Sequence, residues 1–104
     1  MQKTVLVVDD AAVVRQMVAL TLQGAGCKII TAVNGIDALS KLDSASVDMV
    51  ITDLNMPEMD GITLVREIRK KEACKFTPIV MLTTVSQEEK KKDGAEAGAS
   101  GWIY

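Results

Sequence analysis

Asp48-Met49-Val50-Ile51-Thr52-Asp53-Leu54-Asn55-Met56-Pro57 is a short apolar run that ends on a carboxylate. Met49, Val50 and Ile51 follow one another without a polar break, the pattern of a strand covered on both faces and therefore central in a parallel sheet. Pro57 has no N–H to give to a ladder, and Asn55-Met56-Pro57-Glu58-Met59-Asp60-Gly61 is rich in turn formers, so the strand is expected to end at Asp53. In open parallel α/β sheets, ligand chemistry gathers beyond the carboxyl ends of the strands, which is where this pattern puts Asp53.

The same design recurs on either side. Residues 3–8 are a β-rich apolar run ending in Asp9-Asp10. Residues 11–25 place Val14, Met17, Val18, Leu22 and Ala25 at helical spacing, with Arg15, Gln16 and Gln23 polar and Gly24 and Gly26 marking the stop. Residues 28–32 form a second strand, and Asn34-Gly35 turns the chain into residues 36–42, where Ala38, Leu39 and Leu42 share a face. Past the central strand, Ile62, Leu64, Val65 and Ile68 make the stripe of a third helix capped by Asp60, with Arg66, Arg69 and Lys70 expected to point into solvent. Pro78-Ile79-Val80-Met81-Leu82 reads as a fourth strand that delivers Thr83-Thr84. Ser86-Gln87-Glu88-Glu89 has capping-box spacing and opens a fourth helix, whose Lys90-Lys91-Lys92 run forms a solvated face and whose Gly94 weakens it. Residues 100–104 begin a fifth strand. Strands alternating with helices imply right-handed crossovers and a parallel sheet with helices on both faces.

A chain of 104 residues makes one domain, residues 1–104, and 48% hydrophobic with 25% charged residues is ordinary for a globular protein. No apolar run approaches the roughly 18 residues of a membrane span, so no membrane role is expected. A net charge of -2 and 3% aromatic residues speak against nucleic acid as a partner. The start lacks the apolar core and cleavage site of a secretory signal, which points to the cytoplasm. Cys27 and Cys74 stand alone, outside any metal or redox spacing, as reduced thiols. The chain has no histidine, so any phosphohistidine in its chemistry belongs to a partner.

If strand one lies beside strand three, Asp9, Asp10 and Asp53 converge and repel one another unless a cation neutralises them. Oxygen donors of this kind suit Mg²⁺, and the backbone carbonyl of Asn55 can complete the protein's share. With a metal present, Asp53 becomes an in-line oxygen nucleophile toward a phosphoryl group, giving an acyl phosphate, and Thr83 can donate its hydroxyl to a phosphoryl oxygen.

Asp9-Asp10, Asp53-Leu54-Asn55-Met56-Pro57 with Asp60-Gly61, Thr83, and Gly98-Ala99-Ser100-Gly101-Trp102 together resemble the receiver domain of bacterial two-component response regulators, most of all the stand-alone chemotaxis type. The resemblance implies a flavodoxin-like, doubly wound α/β sheet of order 2-1-3-4-5. It implies Mg²⁺ held by Asp10, Asp53 and the Asn55 carbonyl, with Asp9 assisting through water, and phosphorylation of Asp53 by a histidine kinase. It further implies that Thr83 and Trp102 act as switch residues that alter the face of helix four and strand five, through which a downstream protein binds. Such a chain is a phosphoacceptor, with at most intrinsic autophosphorylation and autodephosphorylation. One departure stands out: the lysine that receivers carry at the end of strand five would fall just after Tyr104, and the final helix is missing. The chain therefore reads as a truncated fragment or an engineered form of a receiver. Phosphorylation is then expected to survive in part while signalling fails, and Val14, Val18 and Leu22 of helix one to lie uncovered, inviting a homodimer or an exchanged element. Two alternatives remain: a phosphorylation-silent interaction module, and a haloacid-dehalogenase-type phosphohydrolase, whose nucleophile however follows the first strand in an Asp-x-Asp pattern.

Overall fold

The five apolar runs are all strands: β1 (Thr4–Val8), β2 (Lys28–Ala32), β3 (Met49–Asp53), β4 (Ile79–Leu82) and β5 (Gly101–Ile103). The computed structural model describes residues 2–82 and 91–103, with Lys91 and Lys92 as backbone only. All strands run parallel in the order β2-β1-β3-β4-β5, so β3 is central, as its two-sided apolar character requires. The helices are α1 (Ala12–Gly24), α2 (Gly35–Ser44), α3 (Gly61–Arg69) and α4 (Lys91–Ala97), with one 3₁₀ turn at Glu72–Cys74. The expected opening of helix four at Ser86 lies outside the described residues.

Alternation along the strands splits the core in two. Leu6, Val8, Val50, Ile79 and Met81 point to one face and are buried with Ile62, Leu64, Val65 and Ile68 of α3. Each fully buried side chain of this size stabilises by about 1.5–3 kcal/mol. Val5, Val7 and Ile51 point to the other face and are buried as well, packed against Val18, Leu22, Ile29, Val80 and Leu82, which are themselves only half-buried. No residue of α1 is buried, and Val14 is exposed while Val18 and Leu22 are half-buried.

Local signals bound the helices. Asp60 caps α3 by accepting from Thr63 N–H at 2.7 Å. Asn34 does more than turn the chain: its side chain caps α2, accepting from Asp37 N–H at 2.8 Å, while Asp37 accepts in return from Val33 N–H at 3.0 Å. Gly98 ends α4 at φ +113, donating to the Gly94 carbonyl at 3.1 Å while Ala99 N–H reaches the same oxygen at 2.9 Å. Cys74 is buried and Cys27 half-buried, both as free thiols.

Arg69 corrects the expectation of a solvated basic face. Its guanidinium turns inward, donating to the carbonyls of Gly98 (3.0 and 2.8 Å), Cys74 (2.8 Å) and Thr77 (2.6 Å). The five-donor fork of arginine lets one side chain tie the end of α3 to the approach to β4 and to the α4–β5 loop.

Candidate functional site

β1 and β3 are neighbours with Val8 in register with Thr52, so the residues that follow both strands emerge side by side. Asp9 is buried, Asp10 exposed and Asp53 half-buried, and each presents a carboxylate oxygen within 4.8 Å of the others. Three carboxylates this close compete for one volume of solvent. Burial, before anything else, pushes the Asp53 carboxyl up to about 6, and the charge of Asp9 and then of Asp10 push the same way, while hydrogen bonds from the Leu54 and Asn55 N–H groups pull it down. Asp9 is raised too, first by burial, against the pull of the Ala11 N–H.

The two loops that carry the acids are held from below. Asp9 accepts from Ala11 N–H at 2.9 Å, and its own carbonyl accepts from the Arg15 guanidinium at 2.7 Å. One oxygen of Asp9 is thereby committed to its own loop, whereas Asp10 is left facing solvent. Asp53 accepts from Leu54 N–H at 2.9 Å, which fixes the plane of its carboxylate. Beyond it the chain doubles back: Met59 N–H donates to Pro57 O at 2.8 Å, leaving Glu58 at φ +71, and Gly61 N–H donates to Leu54 O at 2.7 Å. Gly61 must lack a side chain, because a Cβ there would stand 2.3 Å from the Asp53 carbonyl oxygen. Met59 seals the loop against α2, with its sulfur 2.7 Å from where a Cβ on Gly35 would be. Asn55, exposed two residues past Asp53, sits on this pinned loop.

Of the residues singled out from sequence, Asp9, Asp10 and Asp53 are brought together and Asn55 lies on the adjoining loop. Thr83 lies outside the described residues; β4 is described to Leu82, which is in register with Asp53. Trp102 is not part of the acid cluster. It lies half-buried on β5, in register with Met81. Arg15 was missed, read only as a polar position on helix one. A cation in the first turn of a helix works against the helix dipole, and that was the available signal that it had a partner elsewhere. The donor set is all oxygen and mostly carboxylate, the kind selected by a hard divalent cation that keeps part of its water shell. Among the described residues, no helix is long and apolar enough to cross a membrane.

Comparison with known proteins agrees with this geometry. The chain is 40% identical over 99 residues to the transcriptional regulatory protein ResD of Bacillus subtilis, covering 95% of this chain and 40% of that protein. It thus spans less than half the length of that relative. Chemotaxis protein CheY4 of Vibrio cholerae superposes with a TM-score of 0.94 at 47% identity, covering 99% of this chain and 86% of that one. The response regulator TrrA from Thermotoga maritima, solved in complex with Mg²⁺-BeF, superposes with a TM-score of 0.86 at 36% identity, covering 98% of this chain and 85% of that one. Residues 5–104 match the response regulator receiver domain, and the chain belongs to that family of two-component phosphoacceptor modules.

Proposed function

We propose that Asp53 is the phosphoacceptor and that Asp10, Asp53 and the Asn55 carbonyl hold Mg²⁺, with Asp9 acting through water. The observation that carries this is the trio of carboxylates within 4.8 Å at the ends of two adjacent strands. The commitment of one Asp9 oxygen to Ala11 N–H favours an indirect part for that residue, and the solvent-facing Asp10 is free to give a direct bond. The bound cation would neutralise the three acids and the incoming phosphoryl oxygens. An Asp53 oxygen then attacks the phosphorus of a kinase phosphohistidine; the O–P bond forms, the P–N bond breaks, and the imidazole leaves with its electron pair. The Leu54 N–H holds the attacking carboxylate in plane throughout. TrrA, solved with Mg²⁺-BeF, supports the same ligand class here.

The partners that fit are a histidine kinase on the input side and a target protein at the α4–β5 face on the output side, with Trp102 and Thr83 coupling the two. Acetyl phosphate serves as a small phosphodonor in the same reaction, so the chain's own chemistry is at most intrinsic autophosphorylation and autodephosphorylation. A cytoplasmic setting suits both partners.

Trp102 is the sole tryptophan, so its emission reports on this scheme directly. Mg²⁺ is expected to bind saturably, and beryllofluoride to give a second, Mg²⁺-dependent change that Asp53→Asn abolishes. A beryllofluoride response that survives in Asp53→Asn overturns the assignment of the phosphoacceptor. Mg²⁺ binding with no beryllofluoride adduct by ¹⁹F NMR points to a phosphorylation-silent interaction module instead. The exposed Val13, Met17 and Leu20 on α1 give that second reading a self-association surface.

A further inference from the structure

Gly94 is buried in the middle of a seven-residue helix, where glycine is the poorest choice after proline. The structure supplies a reason. A Cβ at this position would stand 2.5 Å from Cζ2 of the Trp102 indole, 3.2 Å from Cη2 and 3.4 Å from Cε2. The benzo edge of the ring therefore rests on the bare backbone of α4. The same glycine offers its carbonyl to both Gly98 and Ala99 at the helix end, at 3.1 and 2.9 Å. In such a terminus the residue holding this place usually makes an apolar contact with the residue after the left-handed one. Glycine cannot, and the indole occupies the space.

The backbone around this contact has little room to retreat. Arg69 grips the Gly98 carbonyl with two N–H groups, at 3.0 and 2.8 Å, and a Cβ on Gly98 would meet the Arg69 side chain at 2.9 Å. When the contact is crowded, the indole is the part that must move. Trp102 also stands on the line that joins this corner to the acids. Asp53 is in register with Leu82, Leu82 with Ile103, and Trp102 precedes Ile103 while pairing with Met81.

We infer that Gly94 is the seat of Trp102, a positioning residue that keeps the indole on α4 in the resting protein and so sets the shape of the α4–β5 face. The signalling consequence rests on the proposed coupling of Trp102 to Asp53; the seat itself rests on the contact alone. Ordinary helix propensity makes Gly94→Ala stabilising, whereas a seat makes it expel the ring, so the two accounts differ in sign.

The test is a set of four proteins: the full chain, Gly94→Ala, Trp102→Tyr and the double variant. Tyrosine lacks the outer atoms that meet Gly94, so it frees the seat. Without any ligand, Gly94→Ala is expected to move tryptophan emission to the red and to increase quenching by acrylamide at least about twofold, as for a ring entering water. It is expected to lower the melting temperature in the tryptophan background and to raise it in the tyrosine background. Unchanged emission, or equal melting shifts in both backgrounds, overturns the inference. If Gly94→Ala shifts the emission while the parent chain ignores beryllofluoride, the seat stands and the coupling to Asp53 falls.

Discussion

The two faces of the sheet are built from the same strands and end up unequal. On the face covered by α2, α3 and α4, Leu6, Val8, Val50, Leu64, Val65, Ile68, Ile79 and Met81 are wholly inaccessible. On the other, α1 is the one helix among the described residues over Val5, Val7 and Ile51, and beside it runs a groove of about 280 Å³ lined by Val18, Leu22, Ile51, Leu82 and Ile103. Alternation gives both faces similar strand residues, so the difference lies in the number of helices above them. The first face encloses the larger core, while the second buries Val5, Val7 and Ile51 under neighbours that are only half-buried. The site draws on both, because Asp53 extends from the central strand while the Asp9–Asp10 loop leads into α1.

The largest expected effect tests that inequality. Ile68→Ala, which empties a fully buried position, is expected to cost about 2–5 kcal/mol in urea denaturation, against about 1 kcal/mol or less for Val18→Ala on the opposite face. Equal costs would show that the α1 face carries as much of the fold as the other.

Next comes Arg69, the polar fastening of the well-covered face. Arg69→Gln leaves the carbonyls of Gly98, Cys74 and Thr77 short of donors, and the expected loss is about 1–3 kcal/mol. Because these bonds lie at the opposite rim from the acids, Mg²⁺ affinity by calorimetry should stay the same. A variant that binds Mg²⁺ much more weakly would mean that the two rims are coupled through α3.

These residues also show where sequence is enough and where it stops. Five apolar runs with turn formers between them place five strands, and the β-α alternation makes them parallel, because both signals are local and periodic. The convergence of Asp9, Asp10 and Asp53 follows once β1 and β3 are neighbours. The reach of Arg69 does not, since it joins Gly98 to Thr77 through space from a position whose helical spacing predicts a side chain in solvent. Gly94 was legible only as a weakness in a helix. Its use depends on Trp102, eight residues on and in another element, and no local pattern encodes that pairing.

A smaller effect comes from the crowding of the acids. Asp53 titrates near 6 in the folded chain, above its ordinary 3.8, so the folded state holds this proton more tightly than the unfolded one. Its contribution to stability is complete below the unfolded value and is lost as pH rises through about 6. In the absence of metal, the parent chain should lose roughly 1–2 kcal/mol relative to Asp53→Asn across that window, a figure reduced from the full shift because the site is partly solvated. Melting curves of both proteins in chelator would show the gap opening with pH, and saturating Mg²⁺ at neutral pH should close it by neutralising the cluster. A gap that does not change with pH would mean that the three carboxylates do not share one electrostatic site in solution.

The smallest effect belongs to the outer surface of α1. Val13, Met17 and Leu20 are 69, 62 and 68% exposed, so replacing one of them removes little apolar area from contact. Leu20→Gln is expected to change the unfolding free energy by no more than about 0.5 kcal/mol, since glutamine is nearly as good a helix former as leucine and no packed neighbour is lost. If copies associate through this stripe, the same substitution acts on mass rather than on stability. Light scattering across a concentration series would then show the parent chain growing heavier while the variant stays a monomer. A loss well above 0.5 kcal/mol at dilutions where both are monomeric would mean that Leu20 is covered within the monomer, and the contrast between the two faces would have to be withdrawn.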